Sequence, residues 1–191
     1  MKKYPKTGNY QLCLKYIKES KNYFYAILII FALSALIGFL FPVFFVDAIK
    51  KLIEGLALKT QGMNFFELFV FIFSNNITTA FLSMLLGIVF IFPLLVGFFN
   101  GYVLGFVANK VAGSFGYSIL FRLLPHGIFE LPALIISLGL GLKIGFFIFA
   151  KNKKKYLKYN LTNSLRVFVY IILPLLIIAG IIETGLMILI K

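Results

Sequence analysis

From Ile77 to Asn109 the chain runs for 33 residues without an acidic or basic side chain. A helix that crosses a bilayer needs about 20 such residues. The run is therefore too long for one span and short for two full ones, and Pro93 near its middle marks the break. Phe24–Val46, Ile128–Ala150 and Arg166–Ile190 are further apolar stretches of spanning length. Hydrophobic residues make up 61% of the 191 and charged residues only 13%, against roughly 45–50% and 25% in soluble domains. A soluble globule of this length could not hide so much apolar surface. A disordered chain, a disulfide scaffold and a free DNA-binding domain are excluded with it. The expected fold class is all-α: a polytopic transmembrane helix bundle of five spans with short interfacial or re-entrant helices.

A single integral membrane domain over 1–191 follows, with a basic lead-in at 1–23 and spans near 24–46, 77–93, 94–112, 128–150 and 166–190. Residues 65–73 are too short an apolar run to span alone and read as an interfacial segment. Residues 113–126 read as a loop with a short interfacial or re-entrant helix. Tyr10 to Tyr25 fits either a basic amphipathic helix on the membrane surface or a solvated lead-in. The chain carries 19 Lys and Arg against 6 Asp and Glu. Residues 1–23 hold six Lys, and residues 151–166 hold five Lys and one Arg. Cytoplasmic loops are enriched in such residues. With five spans, both basic segments fall on the cytoplasmic side of a cell membrane and the C-terminus lies outside. The net charge of +13 thus reflects membrane anchoring and not a nucleic-acid partner. Cys13, the single cysteine, cannot form an internal disulfide and reads as a small apolar filler.

Polar side chains inside a bilayer need partners, so each one is informative. Glu130 and Glu183 are the acids within the expected spans, and His126 is the one histidine. His126 and Glu130 share a helix face if a helix starts near Pro125. Glu183 lies about 26 Å along a helix from Arg166. One plane in the outer leaflet can then hold Asn75, Asn76, His126, Glu130 and Glu183. Such a cluster is interhelical bracing, an ion, proton or ligand site, or a catalytic group. No metal site is read, because one His and two Glu lack the His-Glu-x-x-His spacing. No nucleophile motif surrounds Ser114, Ser118 or Ser137, and no cofactor is implied. Gly97, Gly101 and Gly105 recur every four residues, as do Ser137, Gly141 and Gly145. Such stripes let helices approach closely, within the chain or across a homodimer. Asn100 beside the first stripe is expected to bond a neighbouring helix, and Lys143 to snorkel to the headgroups.

Several strings resemble the stage II sporulation protein M family. They are Asn75-Asn76 before an apolar span, Asn100-Gly101 followed by Gly105, His126-Gly127-Ile128-Phe129-Glu130 followed by Pro132-Ala133, and Ile182-Glu183 in a last span. The His-Gly-x-x-Glu string is the most specific, and the likeness covers about 75–191. The resemblance implies a polytopic membrane protein that, in endospore formers, anchors peptidoglycan-degrading partners during engulfment and is not itself the hydrolase. Relatives occur in bacteria and archaea that never sporulate, and in an archaeon a peptidoglycan role would not carry over. The resulting expectation is a non-enzymatic scaffold or anchor for an envelope-associated complex, contacting lipid and protein partners. The alternative is a transporter or channel-like component that uses Glu130 and Glu183.

Overall fold

The computed structural model describes residues 8–115 and 120–189, with the side chains of 114, 115 and 120–128 outside that description. The described elements are α1 (Asn9–Leu40), α2 (Val46–Thr60), α3 (Phe65–Leu85), α4 (Phe92–Phe115), α5 (Leu120–Gly145), α6 (Lys153–Val167) and α7 (Leu173–Leu189). A π-helical turn at Phe168–Ile172 joins α6 to α7, so Lys153–Leu189 is one continuous helix of 37 residues. Among the described residues there is no strand, and five helices are long and apolar enough to cross a membrane. The all-α bundle of five membrane-length helices agrees with the sequence reading.

Several boundaries differ from those the composition suggested. The first span helix begins at Asn9, not near Phe24. Its buried face includes Cys13, Tyr16 and Ser20 as well as Ile27, Phe31, Ser34 and Gly38. From Asn9 on, the basic segment is therefore nearly the first half of α1, packed into the bundle rather than a separate surface helix or a solvated lead-in. Residues 65–73 are likewise not a separate segment, because α3 starts at Phe65 and runs through them. Asn64 accepts a hydrogen bond from the Glu67 backbone at 3.0 Å, and the Glu67 carboxylate accepts one from the Asn64 backbone at 3.0 Å. This capping box satisfies the first orphan donors of the helix and gives Glu67 a structural reason to stand at the end of a span. In α5 the helix begins at Leu120, so Pro125 lies inside it rather than at its start. Pro93 sits in the first turn of α4, where its missing N–H costs least.

The bundle is built around α5, which touches α1, α3, α4, α6 and α7. Every residue from Ser137 to Gly145 is buried. A Cβ on Gly139 would meet the Phe24 ring of α1, one on Gly141 would meet the Ser83 and Met84 backbone of α3, and one on Gly145 would meet the backbone of Gly87 and Phe90 in the turn between α3 and α4. The α1–α4 contact is equally close. A Cβ on Gly38 would meet the Tyr102 carbonyl, one on Gly101 the Phe31 carbonyl and Ser34 hydroxyl, and one on Gly105 the Ala35 carbonyl. Gly97 is buried beside Leu138 and Ile27 with looser contacts of 3.7 and 3.8 Å. Ser137 donates to the Ala80 carbonyl of α3. Both small-residue stripes are thus occupied by helices of the same chain, which leaves neither free for a second copy.

Tyr102 holds the turn between α1 and α2. Its hydroxyl accepts from the Phe44 N–H at 3.0 Å and donates to the Phe41 carbonyl at 3.0 Å. Phe45 in that turn has φ 56°, the left-handed region that β-carbons disfavour. Asn109 adds a bond to the Phe39 carbonyl at 2.9 Å. Backbone groups leaving α1 are satisfied by side chains of α4, as an apolar setting requires.

Replacing Gly105 with Leu should destabilise the detergent-solubilised protein by about 1–3 kcal/mol, the usual cost of overpacking. Gly185→Leu, at a position with nothing within 4 Å of an added Cβ, should shift the thermal midpoint far less. Equal shifts in the two variants would contradict the packing described.

Candidate functional site

A cavity of about 90 Å³ opens between four helices near the middle of the bundle. Helix α3 lines it with Asn75, Asn76, Thr79 and Ala80, α4 with Asn100, α5 with Glu130 and Leu134, and α7 with Leu176. Asn75 and Asn100 remain exposed, while Asn76, Thr79 and Glu130 are half-buried. The Asn75 amide nitrogen donates to Asn76 Oδ1 at 3.4 Å, and that of Asn100 donates to its own helix at the Val96 carbonyl, 2.8 Å away. Asn100 therefore turns its amide nitrogen to its own helix and faces a cavity, where a bond to a neighbouring helix had been expected.

Helix starts decide the depth of this site. At about 1.5 Å per residue, Asn75 lies roughly 15 Å along α3 from Phe65, and Glu130 roughly 15 Å along α5 from Leu120. The two residues enter from the same end of the bundle and reach the same level. This is deeper than a plane near the membrane boundary, because both helices begin well before the apolar runs do. Glu183 does not line the cavity. It stands about two turns beyond Leu176 on the same face of α7. His126 falls within α5 among the residues whose side chains are outside the description.

A second polar set occupies the lysine-rich end, and only Lys143 of it had been singled out. Lys143 does not snorkel: it is 8% exposed. Its ammonium donates to the Ser20 hydroxyl at 2.9 Å and lies 3.9 Å from the centre of the Tyr16 ring. The Tyr16 hydroxyl donates to Asn160 Oδ1 at 2.9 Å and stands 3.3 Å from the Ser164 hydroxyl. Tyr156 donates to the Lys143 carbonyl at 3.2 Å, and Ser20 to the Tyr16 carbonyl at 2.7 Å. A desolvated ammonium over an aromatic face is worth about 2 kcal/mol or more, so the Tyr16 face serves where the headgroups would otherwise serve. Burial of Tyr16 and Ser20 in the basic stretch was legible only as helical spacing; the partners of Tyr16 on α6 and of Ser20 on α5 lie far away in sequence.

The two sets differ in what they can do. At the lysine-rich end, the hydrogen-bonding groups of Tyr16, Ser20, Asn160 and Ser164 are engaged with one another or with the backbone, which is the pattern of interhelical bracing. The cavity presents a carboxyl, amide groups and the Thr79 hydroxyl toward open space. That arrangement suits a small polar guest. Among the described residues no group of three or more His, Cys, Asp and Glu converges.

The bracing predicts a graded response. Tyr16→Phe keeps the ring under Lys143 but leaves Asn160 Oδ1 without its donor, and should cost about 1–3 kcal/mol. Tyr16→Leu removes the aromatic face as well and should cost more. Chemical unfolding of the two variants side by side measures the difference; identical losses would remove the ammonium–ring contact from the account.

Comparison with known proteins bears on the cavity directly. A model described as stage II sporulation protein M matches residues 26–186, a range that contains every cavity residue but not Tyr16 or Ser20. An uncharacterized protein of Methanocaldococcus jannaschii is 33% identical over 140 residues, 70% of this chain and 62% of that protein. The chain therefore spans less than two thirds of that relative's length. No solved structure matches the chain. The family match over most of the chain, together with the membrane-length helices it covers, places this protein in the stage II sporulation protein M family.

Proposed function

We propose that this protein is a non-enzymatic scaffold or anchor in a cell membrane, with its N-terminus cytoplasmic and its C-terminus outside. The observation that carries the reading is α2. Val46–Thr60 is a 15-residue amphipathic helix with one buried residue, Ile49. Ile49 packs with Tyr102 and Phe106 of α4, and Val46 packs beside them. Beyond that first turn Leu52, Ile53, Leu56 and Leu58 are exposed, as are Asp47, Lys50, Lys51 and Glu54. An apolar stripe on such a helix can settle into the headgroup boundary. The charged side then faces away from lipid, where a protein partner of the envelope can dock.

The orientation rests on charge. Lys15, Lys18 and Lys21 of α1 and Lys151, Lys153, Lys154 and Lys155 before and within α6 are exposed at the same end of the bundle. By the positive-inside tendency that end is cytoplasmic, and α2 stands at the opposite end. The cavity joins one carboxyl to amides and a hydroxyl.

Two measurements test this reading. In a Cys13→Ala background, Leu58→Cys should react with a membrane-impermeant maleimide in intact cells, and Lys154→Cys only after lysis; the reverse pattern would invert the topology. A photo-reactive amino acid at Lys51 should cross-link one discrete protein at native expression, whereas the same probe at Leu36 should yield only lipid adducts. Indistinguishable products at the two positions would end the scaffold reading.

A further inference from the structure

We infer that the cavity around Glu130 is a binding site for a small monovalent cation of sodium size. This does not depend on the scaffold reading, since the site is built by α3, α4, α5 and α7 and not by α2.

The first argument is donor chemistry. Hydrogen bonds turn the amide nitrogens of Asn75 and Asn100 to Asn76 Oδ1 and the Val96 carbonyl. Each of these amides keeps its oxygen without a partner among the described residues, beside one remaining N–H. The Glu130 carboxylate and the Thr79 hydroxyl add further oxygens. Oxygen donors of this hard type select hard cations and repel anions.

The second argument is charge and size. An ionised carboxylate inside a bilayer is costly without a partner. One monovalent cation beside Glu130 balances the one carboxylate that lines the cavity. A divalent ion would leave a positive charge there. The cavity, at about 90 Å³, suits a partly hydrated ion and falls well short of the roughly 300–1,000 Å³ of a small-molecule pocket.

The third argument is access. An open groove of about 650 Å³ runs along α3 and shares Asn75 with the cavity. Along a groove otherwise lined by Phe66, Val70 and Phe71, polar groups come from Glu67 near the start of α3, then Ser74, Asn75 and Thr78. Their spacing keeps them near one helix face, a path from the helix end to the cavity mouth.

The test uses the full chain in nanodiscs of neutral lipid and radioactive sodium ion as the probe. The wild type should bind about one sodium per chain saturably, displaced by unlabelled sodium and not by choline at equal ionic strength. Glu130→Gln should lose that binding. Asn100→Ala, at an exposed side chain that bonds its own helix at Val96, should weaken it roughly tenfold or more. That variant keeps the test decisive if Glu130→Gln fails to fold. No saturable binding to the wild type, displacement by choline, full binding by folded Glu130→Gln, or loss in Glu183→Gln with none in Glu130→Gln would each overturn the assignment.

Discussion

The segment Ser137–Gly145 of α5 is enclosed on all sides, and the other spans are arranged around it. A helix in that position can meet several neighbours closely only if its side chains are small where backbones approach. Gly139, Gly141 and Gly145 answer to α1, α3 and the α3–α4 turn respectively. Each glycine in a helix costs about 1 kcal/mol relative to Ala, a loss offset here by dispersion contacts that lipid tails could not supply as densely. The same logic holds α1 to α4 through Gly38, Gly101 and Gly105. Lipid offers no hydrophobic drive for association, so close backbone contact is what gives the bundle one arrangement.

The enclosed segment also separates two polar environments. Glu130 stands to one side of it and Lys143 at its other end, about 20 Å apart along α5. Lys143 is locked against Tyr16 and Ser20, whereas Glu130 faces a cavity reached from the other end. Opposite charges on one helix thus serve opposite purposes. The first draws α1, α5 and α6 together through bonds that never leave the protein. The second is left beside exposed amides, which a purely structural carboxyl would not need.

The number of membrane-length helices was legible in apolar run length alone, because that period is set by the bilayer. Helix starts were not. Lys15, Lys18 and Lys21 made the first turns of α1 look like a lead-in, yet Cys13, Tyr16 and Ser20 lie on the opposite face and bury. Residues 65–73 looked too short an apolar run to span alone. The Asn64-x-x-Glu67 pattern was the available signal, for it satisfies donors at a helix start whatever lies around it. The small-residue stripes were visible as spacing, but Gly38 and Gly87, which complete the contacts, belong to no stripe. The fate of Lys143 was beyond reach, since Ser20 and Tyr16 are more than a hundred residues away and an aromatic face leaves no local pattern. Asn75, Asn76 and Glu130 could be named as buried-polar candidates because polar residues are so few. That Asn100 faces the same space required the crossing of α3, α4 and α5.

The last helix shows how one proline ties the two polar sets together. From α6 through α7 the residues Asn160, Ser164, Phe168, Ile172, Leu176, Gly180 and Thr184 are all buried, every fourth position in turn. In a regular α-helix a four-residue period drifts by about 40° per step, so such a row would wind away from the bundle. The wide π turn at Phe168–Ile172 takes back part of that drift. Pro174 gives it a cause: its ring would clash with the Tyr170 carbonyl one turn earlier, and its nitrogen offers no donor there. The widened turn relieves both and keeps one face inward along the whole 37-residue helix. Asn160 and Ser164 can therefore bond Tyr16 at one end while Leu176 closes the cavity at the other. Without the widened turn, α7 would turn a different face to Glu130, and the cavity would lose its fourth wall.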